Sequence, residues 1–145
     1  MEKRAIDVAK YVIDKCTTDK RPVSNLQLQK ILYYIQVAFY TNFDCPCFSD
    51  NFEAWMFGPV VPEVYYQYCG AGAYDIVLKY PESHDIWETE KEKSVVDQII
   101  SEKREMNPWD LVNDTHKEGK AWAQTYREGK GNKQIIDKEL IRTNG

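Results

Sequence analysis

The stretch Ser24–Tyr40, SNLQLQKILYYIQVAFY, limits what this chain can fold into more than any other. Leu28, Ile31, Leu32, Ile35 and Phe39 recur at helical spacing and form one apolar stripe. At 100° per residue, Tyr33, Val37 and Tyr40 gather on the opposite face. A helix apolar on both sides either runs through the centre of a core or offers its second face to another molecule. Ser24 and Gln27 have the spacing of a capping box, in which two side chains satisfy amides that lack helical partners.

The elements predicted around this helix are also mostly helical. Ala5, Val8, Ala9, Val12 and Cys16 predict a helix from about Glu2 to Cys16, followed by a polar break at Thr17–Pro22. TNFDCPCFSDN reads as a loop. FEAWMF has strand composition, and Gly58–Pro59 reads as the turn that ends it. Pro62 suits the first position of a helix, where a missing N–H costs nothing; Gly70 and Gly72 stop that helix. After a connector at residues 73–85, Thr89 and Glu92 open a charged helix running to Met106. Asn107 and Pro108 open the next, with Gly119 past its end. Trp122 and Tyr126 stand four apart in a short helix closed by Gly129. KGNKQII reads as a loop or short edge strand, and Asp137 caps a last helical turn. The expected fold is mainly α: a single compact helical domain over residues 1–145, with a small β element at about residues 52–61.

Composition excludes several functions. Basic residues number 19 and acidic residues 23, interspersed, for a net charge of −4. No basic arm is available to neutralise phosphates, so no direct nucleic-acid partner is expected. The N-terminus lacks an apolar signal core and no run reaches membrane-spanning length, so no membrane partner and a cytoplasmic location are expected. The four cysteines are then expected to stay reduced. Cys45 and Cys47 are separated by one residue, closer than zinc knuckles use, so neither a metal nor another cofactor is expected.

His116, between Asp114 and Glu118, is the acid–base candidate on which a small hydrolase could be built. No Ser or Cys stands beside it in an activating context. A histidine at the end of a helix is favoured in any case by the helix dipole and by bonds to the last carbonyls. The structural reading of His116 and a non-enzymatic role are therefore expected.

Phe52–Tyr68, FEAWMFGPVVPEVYYQY, packs one Trp, two Phe and three Tyr around two prolines. A structural corner explains the prolines but does not demand so many rings. Together with Ser24–Tyr40 and the closing LVNDTHKEGKAWAQTYREGKGNKQIIDKELI, it resembles the Panacea domain of the SocA-like antitoxins, proteins often found in phages and once described only as phage-associated. The resemblance runs from about residue 5 to residue 141 and rests on AW-x-x-GPVVPEVY followed by TH-x-E-x-x-x-W. Its motif residues here are Trp55, Gly58, Pro59, Pro62, His116 and Trp122. Gln27, Ala121 and the DCPCF loop depart from the family pattern.

The resemblance implies an antitoxin of a toxin–antitoxin system that neutralises a protein toxin from an adjacent gene by direct binding. It also implies an alternative role, an adaptor delivering its client to a cytosolic AAA+ protease. It carries no catalytic residues. The surface expected to meet the toxin is the proline-braced segment together with the second face of the long helix. Its candidate residues are Tyr33, Tyr40, Phe57, Tyr65 and Tyr66. Trp55 is expected in the core, on the strand face opposite Ala54 and Met56.

Overall fold

The computed structural model describes residues 3–145; the predicted helix start at Glu2 lies outside them. The first helix, α1, spans Ala5–Thr18 and buries Ala5, Val8, Ala9, Val12 and Cys16, the predicted stripe. The short strand β1 (Val23–Ser24) leads into α2 (Asn25–Phe43). Ser24 and Gln27 close the reciprocal capping box: the Gln27 amide donates to Ser24 Oγ at 3.3 Å, and the Ser24 amide to Gln27 Oε1 at 2.9 Å. Asp44, in the left-handed region, ends α2.

The next elements form a hairpin, β2 (Glu53–Trp55) and β3 (Gly58–Val60), then α3 (Pro62–Tyr68) with Pro62 in its first turn. A 3-10 turn at Cys69–Ala71 and strand β4 (Asp75–Ile76) follow. A second 3-10 segment, Pro81–Ile86, precedes α4 (Glu90–Lys103), capped by Thr89. Then come α5 (Pro108–Thr115, capped by Asn107), α6 (Ala121–Tyr126), β5 (Gln134–Ile135) and α7 (Lys138–Asn144, capped by Asp137). The fold is mainly α, with a β element beside the helices, as the sequence predicts. Among the described residues no helix is long and apolar enough to cross a membrane.

Of the two alternatives open to the doubly apolar helix, the chain takes the first. Packed around α2 are α1, α3, α4, α5 and α7. Leu28, Ile31, Leu32 and Ile35 are fully buried, each such side chain contributing about 1.5–3 kcal/mol. Tyr33, on the other face, is also buried, edge-on to Phe52 at 5.2 Å. Val37 and Tyr40 are half-buried on the face that α7 covers.

The polar residues of α2 are buried too and tie it to its surroundings. Gln36 accepts from the Cys47 amide at 2.8 Å and donates to the Phe48 carbonyl at 2.9 Å, fixing the loop after α2. Gln29 accepts from the Val61 amide at 3.0 Å and donates to Asn25, which donates to the Tyr65 carbonyl at 3.1 Å. These bonds set α3 and the strand before it against α2.

The sheet departs from the predicted hairpin in one detail. β2 pairs antiparallel with β3, Trp55 opposite Gly58 and Ala54 opposite Pro59, so the turn is Met56–Phe57 and not Gly58–Pro59. Both turn residues keep negative φ, and Gly58, at φ +120°, makes the left-handed excursion that brings the strand back. Pro59 is tolerated because β3 is an edge strand. The other edge is β5, paired with β2 through Glu53–Ile135 and Ala54–Gln134, which realises KGNKQII as an edge strand. Two further strands, β1 and β4, pair through Val23–Ile76 and Ser24–Asp75 inside stretches that read as a helix cap and a connector.

Candidate functional site

Three side chains from three helices hold the hairpin by its backbone. Trp122 of α6 donates its indole N–H to the Trp55 carbonyl at 2.7 Å. His116, at the end of α5, is hydrogen-bonded to the Phe57 backbone. Lys30 of α2 donates from Nζ to the Pro59 carbonyl at 3.3 Å. The His116 and Trp122 rings stack at 3.7 Å and 3° between planes, and Tyr126 stacks on the far side of Trp122 at 4.6 Å. The two motif stretches, far apart in sequence, thus form one clasp. Sequence spacing points to Trp122 and His116 but not to Lys30, whose one signal in the sequence is a lysine set inside the apolar pattern of α2.

His116 is neutral in this setting. Its Nε2 is buried and has no hydrogen-bond partner among the described residues, so Nδ1 makes the bond to Phe57. Burial holds its pKa below the ordinary histidine value, and the neighbouring Lys30 adds to this. The hydroxyl of Thr115, the adjacent residue, donates to the Val112 carbonyl at 2.9 Å. The acid beside His116 in sequence, Asp114, turns to Tyr34 and Lys117. His116 is therefore built as a brace. His116→Gln should lower stability by about 1–2 kcal/mol, a hydrogen bond plus lost stacking, readable by urea unfolding. A parental midpoint would mean that the stack supports nothing.

The braced tip carries exposed apolar groups. Met56 is 58% exposed, and Phe57, 44% exposed, meets the ring of Trp109, itself 57% exposed. Beside them lies a groove of about 520 Å³ whose apolar wall includes Leu26, Trp55, Phe57, Val60 and Tyr65. Its charged lining residue is Lys133, with Nζ 5.1 Å from the Trp55 ring centre. Tyr65 packs on Trp55 at 4.9 Å, and Tyr66 stands outside at 59% exposure.

Placement of the expected surface residues is therefore divided. Phe57, Tyr65 and Tyr66 come together around the groove. Tyr33, only 3% exposed, is a core residue, because the hairpin-side Phe52 closes over it. Tyr40 lies apart from the groove, under α7. Trp55 reverses the expected alternation: Ala54 is the fully buried neighbour, and Trp55 is half-buried on the groove side with its indole N–H donated to Glu53 at 3.0 Å. A small residue fits against the helices where a tryptophan would not. Cys45 and Cys69 are exposed, Cys16 and Cys47 buried, all as free thiols.

The class defined by this architecture is a mainly helical protein with a clasped aromatic hairpin. Within it, the chain belongs to the antitoxin SocA-like, Panacea domain family, whose profile matches residues 28–123 and so takes in α2 from Leu28 onward, the hairpin and the His116–Trp122 brace. It is 29% identical over 130 residues to the protein named Antitoxin SocA of Caulobacter vibrioides (strain NA1000 / CB15N). That similarity covers 79% of this chain and 66% of the relative, so the chain spans about two thirds of the relative's length. No solved structure matches it.

Proposed function

We propose that this protein is an antitoxin, acting as a single domain in the cytoplasm, that neutralises a protein toxin encoded beside it by binding it on the tip-and-groove face. Family membership supports the antitoxin role. The observation that carries the mode of action is the set of exposed rings held rigid beside an apolar groove. Rings fixed before binding lose little entropy on docking, and hot spots favour Tyr and Trp in such pockets. A toxin segment presenting apolar side chains to the groove and a carboxylate to Lys133 would suit this lining. His116, already spent on the Phe57 backbone, supports binding rather than catalysis.

Co-expression with the neighbouring toxin gene should restore growth, and the two proteins should co-purify. Phe57→Ala and Tyr66→Ala should each weaken the complex by roughly thirtyfold. Both side chains are substantially exposed, so neither variant should melt much below the parent. Rescue without a detectable complex would overturn the binding mechanism. Full affinity in both variants would move the interface elsewhere.

A further inference from the structure

The clasp engages alternate residues of the hairpin, Trp55, Phe57 and Pro59, and two of its three side chains can take up a proton. Lys30 is fully buried, and among the described residues its amine reaches one acceptor, the Pro59 carbonyl. Gly58 makes room for it: a Cβ there would sit 2.6 Å from Lys30 Cε and 2.9 Å from Nζ.

Among the described residues, the groups facing Lys30 supply no counter-charge. The hairpin sets Gly58 and Pro59 against Lys30, and its ionisable residue, Glu53, accepts from the Trp55 indole N–H. From α5 come Thr115, whose hydroxyl is committed to Val112, and His116. Asp114 is occupied by Tyr34 and Lys117, and on α2 itself Gln29 is bound to Asn25 and Val61. Around His116 stand the Phe57 backbone, the Trp122 ring and Lys30. A proton on His116 Nε2 would create a buried N–H with no hydrogen-bond partner among the described residues. An uncompensated buried charge is relieved by admitting water, and here the movable wall is the hairpin tip.

We propose that Lys30, His116 and Trp122 form a proton-sensitive latch, which holds the hairpin tip in place while the first two are neutral and releases it when either is protonated. Its effect on toxin binding rests on the antitoxin reading above; the latch itself does not. Burial pushes the Lys30 pKa down to about 7 in the closed form, whereas a hydrated lysine titrates near its ordinary 10.5. The open form therefore binds the extra proton between those values. Closure loses ground as pH falls from about 10 to about 7, and His116 extends the loss below its ordinary 6.5.

The test uses the protein alone. Protection of the Trp122 indole N–H against hydrogen exchange, corrected for intrinsic rate, should rise at least about tenfold between pH 6.5 and pH 9. In Lys30→Met, which keeps the length and removes the proton, that rise should shrink to the His116 contribution near the acid end. Identical profiles in the two proteins would overturn the latch. If Lys30→Met does not fold, NMR titration of the Lys30 amine in the wild type decides: an apparent pKa near 10 overturns the proposal, and one near 7 supports it. Affinity for the purified product of the adjacent gene should then fall about tenfold from pH 8.5 to pH 6 in the wild type. A pH-sensitive indole with a pH-independent affinity would leave the latch standing and overturn docking at the tip.

Discussion

Replacing Gly58 with alanine is expected to destabilise the protein by about 3–5 kcal/mol. Two costs add. At φ +120° an L side chain is strained wherever there is space, and here there is none. The new methyl would lie 2.6 Å from Lys30 Cε, 2.9 Å from Nζ and 3.0 Å from Thr115 Oγ1. Lys30 has little freedom to retreat, being fully buried between α2 and β3.

Equilibrium unfolding in urea measures the loss, and a double-mutant cycle with Lys30→Ala separates its parts. Truncating Lys30 removes the two closest contacts and leaves the φ term and the Thr115 contact, so the pair should be less destabilised than the sum of the singles by about 1–2 kcal/mol. A Gly58→Ala protein unfolding with the parent would mean that the hairpin is not seated on Lys30, and the latch would go with it.

This arrangement also shows where the sequence was legible. Helix starts were readable because their chemistry is local: Ser24 with Gln27, Thr89, Asn107 and Asp137 act within three residues of themselves. The position of the hairpin turn was not. Gly-Pro carries a strong turn signal, but the residue needed at φ +120° was the one after the turn, and the pairing of Trp55 with Gly58 decides that. Trp55 was misplaced for a related reason. Alternation says that Ala54 and Trp55 face opposite ways, yet not which faces the helices; available volume beside α2 and α6 settles it for Ala54. Lys30 was hidden because hydropathy treats a lysine within a helix as a solvated residue, whereas this one finds a carbonyl 29 residues away. The pairing of β1 with β4 depended on the route of a connector and left almost no local trace.

The second large effect concerns the two faces of α2. Tyr33→Ala should cost about 3–5 kcal/mol, the range for truncating a buried aromatic ring, and lower the melting temperature by roughly 10 °C. The ring stands perpendicular to Phe52 at 5.2 Å and is 3% exposed, so truncation leaves a void that the hairpin side and α2 cannot both close. Tyr66→Ala should leave the melting temperature within a degree or two, because its ring stands mostly in solvent. Their effects on toxin binding should run the other way. A partner that binds only the folded form stabilises it by mass action, so excess toxin should largely restore Tyr33→Ala. Tyr66→Ala should need toxin at about thirtyfold higher concentration than the parent for the same rise in melting temperature. Circular dichroism melts with and without toxin read both quantities from the same samples. If Tyr33→Ala instead melts with the parent and fails to bind at any toxin concentration, the second face of α2 is free, and the toxin docks there rather than at the hairpin tip.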